Sequence, residues 1–169
     1  GHTGLCPREG SFLGDIRVGT CSWADRGLRA SGWYPRSCRD AGARLGHYAS
    51  VFDTVEVDST FYAFPRAQDV YRWIGVTPKG FLFNIKVFGL FTLHRFSPAS
   101  LPSNFRSFIA GSSPDGRLPF RVLPRESRLA LWEYFKELIR PLEDTGRLGY
   151  LLFQLPPWFH CSDRGFLYL

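Results

Sequence analysis

Polar side chains recur at every second position of several apolar segments, a spacing that could gather acid–base chemistry on one face of a sheet. Successive side chains of a β-strand point to opposite faces. Val55 and Val57 suit a face that packs against helices. Glu56 and Asp58 then fall on the other face. Applied to four segments, the same alternation predicts a polar face made of Arg17, Glu56, Asp58, Asn84, Lys86 and Gln154.

Three of these polar residues, Asp58, Lys86 and Gln154, lie near the carboxyl ends of their predicted strands, where parallel α/β enzymes place reactive groups. A carboxylate beside a partly desolvated lysine can move a proton, because burial and pairing change the pKa of both groups. Glu56, Asp58 and Lys86 are therefore candidate catalytic residues. Asn84 and Gln154 are candidate substrate-binding residues.

Two other roles for these charges stay open. Lys86 could bind an anionic substrate by its charge alone. Alternatively, Lys86 and Asp58 could only neutralise each other, because an unpaired charge is costly to bury. Arg17 and Glu56 could form a second pair of this kind.

Three further candidates, Trp23, Tyr62 and His94, follow the first three predicted strands, so they are expected at one edge of the sheet. Trp23 and Tyr62 are candidate substrate-binding residues because their rings could stack on a sugar or a base, although such rings at least as often pack loops. His94 could act as an acid, a base or a ligand. With Glu56 and Asp58 it could hold a metal, but the spacing is not diagnostic and no metal site is predicted.

No motif identifies a cofactor, which stays unknown. The sequence lacks a P-loop, a G-x-G-x-x-G segment and a G-x-S-x-G segment. Its four cysteines lie far apart without a C-x-x-C pair, which argues against structural zinc and against a disulfide framework. A cytoplasmic location fits this cysteine usage. No apolar run reaches the roughly 18 residues that a bilayer-spanning helix needs, so no membrane partner is expected.

Strand and helix signals alternate along most of the chain. Strands are predicted at 16–21, 54–58, 81–88 and 149–155, and helices at 40–52, from Pro65 onward, and from near Glu126 to before Gly146. Residues 91–124 contain five prolines and are predicted to form a long loop. Strands joined by helical crossovers favour an α/β fold with a parallel sheet and outer helices, as a small open sheet or half of a barrel.

Four ordered segments resemble the YecE-like family, domain of unknown function 72. They are Gly19-Thr20-Cys21-Ser22-Trp23 with Trp33-Tyr34-Pro35, the run from Val55 to Tyr62 with Pro65, the set from Trp73 to Lys86, and Phe153-Gln154-Leu155-Pro156-Pro157. Together they span about residues 16–159. Many members carry glycine where this chain has Ser22.

The resemblance implies a TIM-type (β/α)8 barrel, of which this chain would hold the N-terminal half, about four of eight strands. Residues 1–15 would form a flexible N-terminal extension. Residues 16–169 would form an incomplete barrel domain with its long loop near 91–124. Members usually continue with strands that contain a Glu-x-Arg segment and a late Arg-x-His-Gly segment, and no predicted strand here corresponds to either.

The resemblance names no reaction, so three functions stay open. One is an enzyme acting on a small polar or phosphorylated substrate at the C-terminal mouth of the strands. Another is a nucleic-acid-binding module, since the net charge is +6 and 18 arginines accompany 3 lysines. The third is a non-functional fragment of a longer barrel. Because half a barrel would leave 16–21 and 150–155 as unpaired edges, self-association is expected of a chain this short.

Overall fold

Helices and strands alternate along the computed structural model, which describes residues 16–106, 109 and 116–160. Its helices are α1 (Arg26–Ala30), α2 (Ala41–Ala49), α3 (Ser59–Tyr62), α4 (Ala67–Val76), α5 (Ser103–Arg106) and α6 (Arg125–Asp144). Its strands are β1 (Thr54–Val57), β2 (Leu82–Lys86) and β3 (Leu148–Leu152). The predicted extension 1–15 lies outside the described residues.

The strands named above form one parallel sheet in the order β1-β2-β3, so strands that follow one another in the chain lie side by side. Val55 and Val57 of β1 are buried, as are Phe83 and Ile85 of β2. These side chains meet the apolar faces of the helices in one core. The predicted α/β architecture with parallel strands is therefore confirmed.

Helix α2 forms because its sequence supplies both a cap and an apolar stripe. The carboxylate of Asp40 accepts hydrogen bonds from the backbone N–H groups of Gly42 and Ala43, which otherwise have no partner in the first turn. Leu45, Tyr48 and Ala49 are buried against the sheet, as their spacing predicted.

The spacing of apolar residues predicts a buried stripe on α4 made of Ala67, Val70, Tyr71 and Ile74, and one on α6 made of Leu131, Phe135, Leu138 and Leu142. Each differs from the observed stripe. On α4, Tyr71 is 62% exposed and the neighbouring Trp73 packs on the core instead. On α6, Ile139 is buried in the stripe where Leu138 was expected, while the other predicted positions are buried. Residues three and four apart both lie near one helix face, and packing on the sheet selects between them.

The predicted first strand, 16–21, is wrong in extent. The segment runs parallel to β1 with backbone hydrogen bonds from Glu56 to Thr20 (3.1 Å) and from Ser22 to Glu56 (2.9 Å), but only Cys21 forms a bridge. Ile16 is 91% exposed, because no described helix covers it. Without a side chain, Gly19 comes so close to β1 that a Cβ there would lie 2.0 Å from the Thr54 carbonyl oxygen.

The described residues of the predicted long loop, 91–124, contain no strand, but they form more regular structure than the prolines suggested. It holds α5 and the 3₁₀ turns Pro98–Ser100 and Phe120–Val122, and another such turn, Gly89–Thr92, leads into it. Reciprocal backbone hydrogen bonds join Phe96 to Leu118, at 2.9 and 2.8 Å. Both side chains are buried, so the two ends of the loop are fastened to the core.

Candidate functional site

The sheet face opposite the helices is polar and open. Thr54 and Glu56 of β1 and Asn84 of β2 line a pocket of about 450 Å3, which Arg17 and Tyr150 border. Glu56 and Asn84 are register partners on neighbouring strands. Alternation along the strands is a local property, and it places these side chains on the face that the sequence predicted.

Lys86 ends β2 and lies between two carboxylates. Its Nζ donates a hydrogen bond to Oδ1 of Asp58 at 2.7 Å, and Oε1 of Glu56 lies 4.0 Å away. The Lys86 and Glu56 side chains are only 13% and 16% exposed, whereas Asp58 is 35% exposed. These three residues, Glu56, Asp58 and Lys86, form the lysine cluster. The Asp58 carboxylate is therefore its most solvent-exposed group.

The charges around Lys86 decide its protonation. Burial disfavours the ammonium form, but the hydrogen bond to Asp58 and the charges of Asp58 and Glu56 outweigh it, so the pKa of Lys86 is raised. The side chain is thus an ammonium ion at neutral pH. It can donate hydrogen bonds and stabilise negative charge, but it is not a free amine base.

A bulge in β3 brings Asn84 close to the neighbouring backbone. Phe83 and Ile85 pair with Leu148 and Leu151, so β3 carries one extra residue in this stretch. The extra residue places Gly149 against Asn84, where a Cβ would lie 2.1 Å from the Asn84 amide oxygen. Glycine inside the strand is what allows this approach.

A hydrogen bond from its amide nitrogen also fixes the Asn84 side chain. Its Nδ2 donates to Oγ1 of Thr54 at 2.9 Å, and that hydroxyl lies 3.0 Å from the Leu82 carbonyl, to which it donates. Asn84 is 7% exposed. A fixed amide on the floor of the pocket can orient a polar ligand without moving.

The short helix α3 connects the lysine cluster to the loops. Oγ1 of Thr60 lies 2.6 Å from both the Val57 and the Lys86 carbonyl oxygens, so it can donate to either strand end. The next residue, Phe61, places its ring centroid 5.4 Å from Lys86 Nζ, a cation–π distance. Sequence reasoning missed both residues, although Ser59-Thr60 directly after a strand is a typical start of a turn or helix.

Cys21 lies at the edge of the same face, next to β1. Burial, followed by the charge and hydrogen bond of Glu56, raises the pKa of its thiol. The group is therefore a protonated thiol at neutral pH, and a hydrogen-bond donor to Glu56. Because the thiolate is the reactive form, Cys21 is poorly suited to be a nucleophile here.

The rings of His94 and Tyr62 both pack against Phe61, whose ring lies next to Lys86. The His94 ring lies 4.9 Å from the Phe61 ring, and the Tyr62 ring lies 5.1 Å from it. Burial, reinforced by the charges of Arg117 and Lys86, lowers the pKa of His94, although hydrogen bonds with backbone groups oppose this. Its Nδ1 lies 3.0 Å from Oγ1 of Thr92. His94 is thus a neutral imidazole, and Tyr62 is 65% exposed beside it.

Three predicted residues lie apart from the lysine cluster. Trp23 is 7% exposed; its indole N–H donates to the Ala41 carbonyl at 3.1 Å and its ring packs edge-on against Trp73. Gln154 is exposed two residues beyond the end of β3. Arg17 donates to the Gly80 carbonyl at 3.0 Å rather than pairing with Glu56.

No group of three His, Cys, Asp or Glu side chains in the described part of the chain is placed to hold a metal ion. Glu56 and Asp58 both lie close to Lys86, whereas His94 packs against the Phe61 ring. None of the described helices combines the length and the hydropathy that a bilayer-spanning segment requires.

A family model described as "Protein of unknown function DUF72" matches residues 17–169. The chain belongs to the DUF72 family. YecE-like is another name for DUF72, so the family resemblance drawn from the sequence motifs is confirmed. The UPF0759 protein YunF of Bacillus subtilis (strain 168) is 28% identical over 154 residues, which make up 91% of this chain and 44% of YunF.

Solved structures of DUF72 family proteins share the fold. One from Enterococcus faecalis V583 gives a TM-score of 0.59 at 21% identity, covering 91% of this chain and 44% of that one. Another, from Thermotoga maritima MSB8, gives 0.58 at 24% identity, covering 90% of this chain and 48% of that one. This chain spans less than half the length of these DUF72 proteins.

Proposed function

We propose that this chain binds a small polar or phosphorylated ligand at the carboxyl ends of its strands and, as an enzyme, moves a proton there. The observation that carries the proposal is the 2.7 Å hydrogen bond from Lys86 to Asp58, beside Glu56. A residue whose pKa is shifted by burial and by a charged partner, as that of Lys86 is, is a candidate for an active site.

The roles follow from the geometry of the cluster. The Lys86 ammonium would stabilise negative charge that develops on the ligand and could donate a proton to it. Asp58 is the more exposed carboxylate and would accept a proton from the ligand. Asn84 would orient the ligand, and Tyr62 could cover it from the loop side.

Trp23 and Gln154 have smaller roles in this proposal. Trp23 would contribute by packing the loop that follows residues 18–22, since its ring is already occupied in the core. Gln154 would contact a ligand only if that ligand extends beyond the end of β3. His94 would act through its neutral ring, as a hydrogen-bond partner and not as a charge.

The chain is proposed to supply about half of a TIM-type barrel, with residues 16–169 as the incomplete barrel domain. Three observations support this. The strand order follows the chain, as it does around such a barrel, and residues 18–22 lie beside β1 at the other side of the sheet. The relatives described above are about twice as long. A cytoplasmic location stays a prediction.

A ligand screen with two matched lysine variants tests this function. Neutral sugars, carboxylates and sugar phosphates would be screened by saturation-transfer NMR against the wild type, Lys86→Met and Lys79→Met. Lys79 is exposed in the turn before β2 and serves as the control. We expect ligands that bind the wild type and Lys79→Met but are lost in Lys86→Met.

Two results would reject the proposal. Ligands that bind Lys86→Met as well as they bind the wild type would leave Lys86 with the purely structural role of neutralising Asp58. A screen in which no ligand binds the wild type would reject the small-ligand site itself.

A further inference from the structure

A separate pocket of about 630 Å3 lies where the segments after β2 and β3 meet the end of the long loop. His94 and Arg95 come from the first of these segments, and Trp158 from the second. Arg117 and Arg121 come from the loop. Ligands of parallel α/β sheets bind beyond the carboxyl ends of strands, so the place is favourable for a site.

Arginines dominate the charge of this pocket. Arg95, Arg117 and Arg121 line it. Nη2 of Arg117 donates to the Arg95 carbonyl at 2.8 Å, and Nη2 of Arg95 donates to the Arg117 carbonyl. These reciprocal bonds flank the Phe96–Leu118 bridge and fix each guanidinium group against the backbone of the other residue. Planar guanidinium groups fixed in this way suit a phosphate.

Aromatic rings share the pocket with the arginines. Trp158 is 60% exposed, an unusual exposure for the largest apolar side chain. Phe120 also lines the pocket and lies beneath the guanidinium group of Arg121, at 5.5 Å. Exposed rings beside arginines stack on flat ligands, and nucleobases are the commonest flat group attached to a phosphate.

We propose that this arginine–tryptophan pocket binds a nucleoside phosphate, with the phosphate on the arginines and the base on Trp158. The ligand could be a free nucleotide or a nucleotide within a single strand, which share this chemistry. The pocket shares His94 with the proposed function but does not include Lys86, so the inference does not depend on a ligand at the lysine cluster.

Isothermal titration calorimetry with four probes tests the inference on the whole chain. The probes are adenosine monophosphate, adenosine, inorganic phosphate and an oligothymidylate strand. We expect the nucleotide or the strand to bind more tightly than adenosine and phosphate do, and the tighter of the two identifies the source. The inference is wrong if phosphate binds as tightly as the nucleotide and the strand, or if no probe binds.

Matched variants separate this pocket from general charge effects. Arg121→Gln and Trp158→Ala should each weaken binding about tenfold, because one charge-assisted contact or one stacked base is lost. Arg29→Gln on α1 and Tyr71→Ala on α4 are the controls. Equal losses in Arg29→Gln and Arg121→Gln would mean that binding follows net charge, which overturns the proposed site. Trp158 follows β3 in an exposed segment, so its variant reports on the pocket even if Arg121→Gln folds poorly.

Discussion

The amide oxygen of Asn84 occupies the space in which a side chain on Gly149 would have to begin. A Cβ at Gly149 would lie 2.1 Å from that oxygen, and Asn84 is held in place by Thr54 at 2.9 Å. The β3 bulge and the position of the candidate ligand-orienting amide are therefore one feature. Neither can change without the other.

Gly149→Ala should lower the free energy of unfolding by roughly 1–3 kcal/mol, because the buried amide must shift or β3 must move away. Asn84→Ala should partly rescue it, which a double-mutant cycle in urea would measure. Gly75→Ala is the control: it lies in α4 with no atom within 4 Å of an added Cβ. Equal effects of the two glycine variants would contradict this account.

Ser22→Gly should raise the free energy of unfolding by roughly 0.5–1 kcal/mol. Ser22 has a φ of 83°, in the left-handed region that costs other residues energy and glycine almost none. The gain is reduced because the Ser22 hydroxyl oxygen accepts a hydrogen bond from the Ala24 N–H at 3.0 Å. Ser22→Ala loses that bond and keeps the strain, so chemical denaturation should rank glycine above serine and serine above alanine. Any loss of stability in Ser22→Gly would show that the hydroxyl matters more than the backbone.

The alternation of side chains between the two faces of a strand predicted much of the polar face, because it depends only on the two-residue period of a strand. It placed Glu56 and Lys86 on one face, and the Lys86–Asp58 contact was among the stated alternatives. It could not reveal the burial of Trp23, since packing between distant segments decides where a loop ring lies. Nor could it reveal the bulge at Gly149, because glycine in a strand signals an irregularity without saying which atom fills the space.

The arginine–tryptophan pocket was also beyond sequence reasoning. Its arginines are scattered over 27 positions, from Arg95 to Arg121, and no run or motif marks them. The Phe96–Leu118 bridge brings the ends of the loop together. That pairing is a tertiary contact between two short segments without strand periodicity, so the sequence gives no local signal for it.

The stability contribution of His94 should fall on acidification. Its pKa is lowered in the folded chain, so the unfolded chain binds the proton more tightly and stability is lost as the pH falls below the unfolded value of about 6.5. His94→Gln does not titrate here. The difference in urea midpoint between wild type and His94→Gln should therefore move against the wild type between pH 7.5 and pH 5, roughly the range of histidine titration. A constant difference over that range would contradict a lowered pKa.

Self-association through β3 is expected of this chain. Tyr150 is 51% exposed and Phe153 is 45% exposed at the outer side of the sheet, and no lysine protects this edge. Light scattering at tens of micromolar should give a mass above that of the monomer. Tyr150→Lys should shift it toward the monomer, whereas Tyr71→Lys on α4 should not. A monomeric wild type with a sharp thermal transition would show that the chain needs no partner.

The central claim, that Lys86 is the ammonium group at which a polar ligand binds, can be tested by NMR of the lysine side chains. The chain has only 3 lysines, so selective 15N-lysine labelling gives signals that single substitutions can assign. The account predicts that Lys86 loses its proton at a higher pH than a lysine with the ordinary pKa of 10.5. It also predicts that a ligand found in the screen shifts the Lys86 signal and leaves Lys79 and Lys136 unchanged. A Lys86 pKa below 10.5, or a Lys86 signal that no bound ligand moves, would contradict it.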